Sequence, residues 1–262
     1  MKKYFQYFHL LLFVVTSITL VALQQKTIGF ALVAFGLATL PLCSKDFQKN
    51  FLLIYFCLAV LGITPIGTST ALPLAFYMGI GLALVVAVPF LVTRKIYKTK
   101  LIIYPNLTQR VWRRSWTFYL LFAAFAGYLL LPLMLRSDNS YLNWQLQPDF
   151  WNLTVAYFGL NFVGVWDELF FVITVLAILR NHFPFYIANL AQAVLFTAFL
   201  YTLGFGGWCF VVIFVFALAQ GLVFRQTKSL LYILAIHLTI DLVLHLALVY
   251  LHYPDLFPYF IT

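Results

Sequence analysis

The chain has 262 residues, of which 64% are hydrophobic and only 9% charged, and its mean hydropathy is +0.98. A soluble globular chain is about a quarter charged, so this composition excludes a secreted domain, a disordered chain and an ordinary cytosolic enzyme, and leaves a polytopic membrane protein. The formal net charge of +9 would point to nucleic acid in a soluble chain, but in a membrane chain it marks cytoplasmic loops, and no nucleic-acid partner is expected.

The apolar runs are continuous rather than alternating, which argues for helices and against a transmembrane β-barrel. The expected fold is an all-α transmembrane bundle of about nine spans: roughly 8–23, 27–43, 51–66, 70–93, 117–135, 153–179, 185–203, 207–224 and 230–251. Lys2 and Lys3 precede the first run as in a signal peptide, but no small-x-small cleavage site follows, so it is read as a helix. Pro73 and Pro132 are expected to kink their helices. Cys43, Cys57 and Cys209 lie in apolar runs without CxxC spacing and read as small hydrophobes.

Charge orients the spans. Threaded from a cytoplasmic N-terminus, they leave 14 of the 16 Lys and Arg inside, with Lys26 and Arg136 outside. The C-terminus is then outside. The loop from Arg94 to Arg114 carries seven cations and no acid, with Trp112, Trp116 and Tyr119 at its end. Such a loop is suited to the anionic inner leaflet, with the aromatics at headgroup level. It divides the chain into N-terminal spans, 1–116, which include the basic cytoplasmic loop 94–116, and a C-terminal bundle, 117–262. Asn106-Leu-Thr and Asn152-Leu-Thr fit a glycosylation pattern, but one falls inside and the other against the membrane.

The unusual residues are all in the second part. Four of the seven acids, Asp46, Asp138, Asp149 and Asp255, fall in loops or the tail. Asp167, Glu168 and Asp241 fall inside apolar spans, where an acid costs about 2.5–3.5 kcal/mol on insertion scales. Two adjacent acids cannot both be ionised in a dry site without a cation, a proton or a hydrogen-bond partner. The run from His237 through Asp241 to His245 supplies one, because i, i+4 and i+8 share a stripe about 80° wide. His237 with Asp241 suits metal ligation or a His–Asp hydrogen bond. Glu168 lies about 18 Å along its helix from Arg180, and His237 about 14 Å from Lys228, so the two can meet at similar depth. His245 is read as a packing residue. Asn189, Gln192 and Gln220 are read as interhelical hydrogen-bond residues.

From about Gly159 to Leu246 the chain resembles the CPBP intramembrane proteases, the CAAX prenyl endopeptidases and their Abi or bacteriocin-processing relatives. That family carries E-E-x-x-x-R, then F-x-x-x-H, then H-x-x-x-N/D on successive helices. Here Asp167-Glu168 and Val172 stand at the first motif, Phe196 and Leu200 at the second, and His237 and Asp241 at the third. The run Gly221-Leu-Val-Phe-Arg-Gln-Thr-Lys-Ser-Leu-Leu also resembles the family's glycine, turn and apolar helix. One acid, the arginine and the second-motif histidine are therefore substituted.

The resemblance implies a membrane-buried hydrolase in which Asp167 or Glu168 activates water. His237 and Asp241 would then bind metal or stabilise an oxyanion. The implied catalytic set is Asp167, Glu168, His237 and Asp241. The implied ligands of Zn2+ or another divalent metal are His237, Asp241 and Glu168, since Leu200 supplies no nitrogen. Three functions follow. The first is an endopeptidase acting on a membrane-borne peptide or lipidated tail, with an altered site. The second is a catalytically inactive, protease-like scaffold or immunity-type protein. The third is a transporter or proton relay. The expected location is an integral position in a bacterial cytoplasmic membrane, with the bilayer and a membrane peptide or protein as partners.

Overall fold

A computed structural model describes residues 2–69, 71–105, 113–256 and 260. Arg110, Trp112 and the Asn106-Leu-Thr site lie outside the described residues. The chain forms a polytopic helical bundle, with no strand among the described residues. In chain order the helices are α1 (Lys2–Thr16), α2 (Lys26–Thr39), α3 (Lys45–Ile63), α4 (Leu72–Leu91), α5 (Arg114–Ser137), α6 (Phe150–Asp167), α7 (Leu176–Arg180), α8 (Phe185–Thr202), α9 (Cys209–Thr227) and α10 (Leu230–His252). Wider π turns extend α1 through Ser17–Ala22 and α4 through Val92–Ile96, and join α6 to α7 through Glu168–Val175.

Eight rods among the described residues are long and apolar enough to cross a membrane. The shorter apolar rod Lys26–Leu42 is the ninth segment expected from sequence. α1 and α3 begin at Lys2 and Lys45, several residues before their apolar runs do. The polar first turns of α3 are helical because their apolar members pack: Phe47 is fully buried and stacks on Phe51, with ring centroids 4.1 Å apart. Pro73 sits in the first turn of α4, where a missing N–H costs nothing, while Pro132 and Pro89 lie inside α5 and α4. The three cysteines are free and buried.

Hydrogen bonds between loops show which ends of the rods lie together. At one end Asn50 Nδ2 donates to His182 at 2.9 Å, Asn181 Nδ2 to Asp46 at 3.3 Å and Tyr97 Oη to the Lys49 carbonyl at 3.1 Å. Arg180 and Arg225 stack over Phe185 at the same end. At the other end Thr202 donates to the Val21 carbonyl, Thr68 and Asn143 link to the Asn143 and Gly204 carbonyls, and Tyr253 donates to Leu146. Consecutive rods therefore alternate in direction, and the rod ends carrying Lys45, Arg94, Arg180 and Arg225 share the basic end.

The rod from Phe150 to Arg180 is the centre of the bundle. It is 31 residues long, and from Phe170 to Leu176 every side chain is buried. Trp166 anchors it to α4, donating through Nε1 to the Leu82 carbonyl at 2.7 Å. Phe171 packs on Phe196 of α8, with centroids 4.8 Å apart. Replacing Trp166 with Phe keeps an aromatic ring but loses the donor. We expect it to destabilise the bundle by about 1 kcal/mol, measured by unfolding in mixed detergent.

Candidate functional site

The site sits where α6 passes into the π segment. Asp167 ends the α-helix and Glu168 opens the wider turn. Thr174 Oγ1 donates to the Leu169 carbonyl five residues back, at 2.8 Å, which follows the π spacing. Adjacent residues on a helix point about 100° apart. On a rim helix one of these two carboxyls would meet lipid. On this central rod both are interior, with Asp167 1% and Glu168 0% exposed.

α10 supplies the counterpart. Ser229 caps it, accepting from the Tyr232 amide, and the helix carries His237 and Asp241 inward, both buried. His237 Nδ1 lies 2.7 Å from Glu168 Oε1. On its other edge, Nε2 lies 3.7 Å from Asp167 Oδ2 and 3.8 Å from Asp241 Oδ1. One imidazole thus stands among three carboxyl groups. The same Glu168 Oε1 accepts from Gln220 Nε2 at 2.6 Å, and that amide also donates to the Ile233 carbonyl at 3.2 Å. Asp167 Oδ1, Glu168 Oε2 and Asp241 Oδ2 have no protein partner.

A cavity of about 510 Å³ borders this cluster. Asp167, His237 and Asp241 are on its wall, and Glu168 is not. The rest of the wall is mostly apolar and comes from α4, α5, α6, α8, α9 and α10 and from the connections at 67–69, 144–146 and 203–205. Phe122, Phe162 and Val215 line it and are also 64%, 60% and 59% exposed, so the cavity reaches the lipid-facing surface of the bundle.

The four residues expected from sequence are therefore brought together, but not in one role. Glu168 occupies Nδ1 while Asp241 faces Nε2, so the expected ligand set of His237, Asp241 and Glu168 is split across two edges of one ring. Among the described residues no group of three or more His, Cys, Asp or Glu side chains is gathered so as to hold a metal ion. Glu168 stands on the Nδ1 edge of the ring, and Asp167 and Asp241 stand on the Nε2 edge. Leu200 lines the cavity where the second-motif histidine would stand, and Val172 is buried among apolar neighbours. His245 lies apart from the cluster, buried against Tyr157 with ring centroids 5.4 Å apart.

Residues 149–243, just over a third of the chain, match the family model described as type II CAAX prenyl endopeptidase Rce1-like. Over this segment the chain is similar to the CAAX-protease family. Searches among curated proteins and among solved structures give no match. The family segment begins at the Asp149 cap of α6 and ends two residues beyond Asp241, so it contains every residue of the cluster.

Two CAAX-segment residues carried no sequence signal for their roles. Gln220 is interhelical, as expected, yet its partner is the buried acid itself. Gly164 leaves room for α10: a Cβ there would collide with Asp241 Oδ2 and come within 3.1 Å of His237 Cδ2. Gly159, on the same helix, faces open space. Gly164→Ala should cost about 1–3 kcal/mol, an overpacking penalty, while Gly159→Ala should be neutral or stabilising; parallel unfolding titrations compare them.

Proposed function

We propose that this chain is a CAAX-protease-like intramembrane endopeptidase that admits a membrane-borne peptide or lipidated tail into its apolar cavity and hydrolyses it there. The observation that carries this reading is the placement of Asp167, His237 and Asp241 together on the wall of a cavity that opens to lipid. Buried acids are costly in a bilayer, and these face a space large enough for a substrate segment.

The separation of Asp167 Oδ2 and His237 Nε2, 3.7 Å, is too long for a hydrogen bond and suits one water held by both. In the proposed reaction that water loses a proton to Asp167 or His237 while its oxygen bonds to the scissile carbonyl carbon. The carbon–nitrogen bond then breaks, and the proton passes to the departing amine. Both acceptors sit on packed helices, which holds the water without a loop closure. Asp241, one turn beyond His237, faces the developing oxyanion and assists only when it carries its proton.

Asp167→Asn should lower cleavage of a lipidated peptide in proteoliposomes by about 10²- to 10⁴-fold, the usual range for losing a general base. Asp241→Asn should leave cleavage within about threefold of wild type or raise it, because an amide can still donate to an oxyanion. Equal activity of Asp167→Asn and wild type would overturn the reading.

A second reading, a protease-like protein that binds a membrane partner without cleaving it, is favoured by Leu200 on the cavity wall and by buried Val172. It predicts no turnover in wild type and tolerance of Asp167→Asn. The divalent metal is a separate proposal, and no step above uses it. Leu200→His adds a nitrogen to the wall, and elemental analysis should find about one more zinc per chain than in wild type if the wall can form a three-ligand site. No zinc in either protein would remove the metal. The proposed location is a bacterial cytoplasmic membrane, on the short loops and their basic ends.

A further inference from the structure

We infer that Gln220 is a positioning residue: it holds Glu168 so that this carboxylate accepts the Nδ1 proton of His237 and leaves the Nε2 lone pair directed at the cavity. The inference rests on the hydrolase reading for its purpose but on separate geometry for its content.

Gln220 is fully buried on α9, and both hydrogens of its amide nitrogen have acceptors. One goes to Glu168 Oε1 at 2.6 Å and the other to the Ile233 carbonyl at 3.2 Å. Those two acceptors fix which end of the amide faces the carboxyl group: the nitrogen points in, and Oε1 of Gln220 has no partner. Ile233 lies four residues before His237, so the amide grips α10 one turn from the imidazole. An α9 side chain thereby ties together the π turn of the central rod and the helix that carries the histidine.

The same contacts set the direction of the His237 bond. Glu168 Oε1 already accepts the Gln220 proton, and a carboxylate oxygen with a second lone pair accepts again. His237 Nδ1, at 2.7 Å, is then the donor. A neutral imidazole that donates through Nδ1 carries its lone pair on Nε2, the edge that faces Asp167 and Asp241 across the cavity wall. Glu168 does not line the cavity, which places it behind the ring as an orienting group and leaves Asp167 on the substrate side. The two adjacent acids thus divide one task between them. The chain of Ile233 carbonyl, Gln220, Glu168 and His237 is built as an orienter–base arrangement in which the histidine's tautomer is chosen by a buried carboxylate.

The test is the tautomer of His237 in the full chain, read by nitrogen-15 NMR of histidine-labelled protein in bilayers and assigned by difference from His237→Asn. Wild type is expected to show a proton on Nδ1 and none on Nε2. Gln220→Met keeps the size of the side chain and removes both donors. It is expected to show mixed tautomers and, with a lipidated peptide, a kcat lower by about 10- to 100-fold at little-changed KM, as for loss of one hydrogen bond to a charged group. A proton on Nε2 in wild type overturns the inference. So does a Gln220→Met protein that keeps the wild-type tautomer. Because the wild-type spectrum decides the first point alone, a variant that fails to fold leaves the inference falsifiable. If wild type cleaves nothing but shows the expected tautomers, the hydrolase reading fails and the positioning role of Gln220 stands.

Discussion

Two adjacent carboxyl groups in the middle of an apolar rod constrain everything around them. Neither can face lipid cheaply, and they diverge by about 100°, so both are covered only when their rod is enclosed on several sides. The fold answers by making their rod central. α4 grips it through Trp166, α8 packs on Phe171, α9 brings Gln220 and α10 brings His237. The short contact between His237 and Glu168 closes this enclosure, and the remaining geometry of the site follows from it.

That enclosure sorts the polar groups onto two sides of one imidazole ring. Behind the ring, Glu168 and Gln220 are fully buried and do not line the cavity. In front, Asp167, Asp241 and Nε2 meet the apolar space that opens toward lipid. A water-activating pair needs this asymmetry, since a group that orients a base must not compete with the substrate. The differences from the family pattern fall on the front side at Asp167 and Leu200 and in the packed rod at Val172, and they leave the rear of the ring intact. Gly164 shows the same economy of space: without a side chain there, α10 can bring Asp241 against the central rod.

The site is built on helices and not on loops. The π turn that starts at Glu168 widens the rod where its side chains are most crowded, and Thr174 follows the altered register with its own hydrogen bond. The loops serve the ends of the bundle. Asn50 with His182, and Asn143 with Gly204, tie neighbouring connections together and hold the alternation of the rods.

Sequence by itself determined the helical membrane class, the approximate spans and the identity of the unusual residues. Each rests on composition along the chain: apolar length measures the bilayer, basic loops mark one end, and an acid in an apolar run stands out by its cost. Sequence spacing also placed His237 and Asp241 on one stripe and at a depth where Glu168 could be met. Tertiary structure alone decided which acid faces the cavity, which ring nitrogen Glu168 occupies, that Gln220 holds it, and that a missing Cβ at Gly164 lets α10 approach. Those facts depend on how rods are rotated and packed against each other. Rotation is invisible in a helix that is apolar on every face, because no hydrophobic stripe marks its inner side.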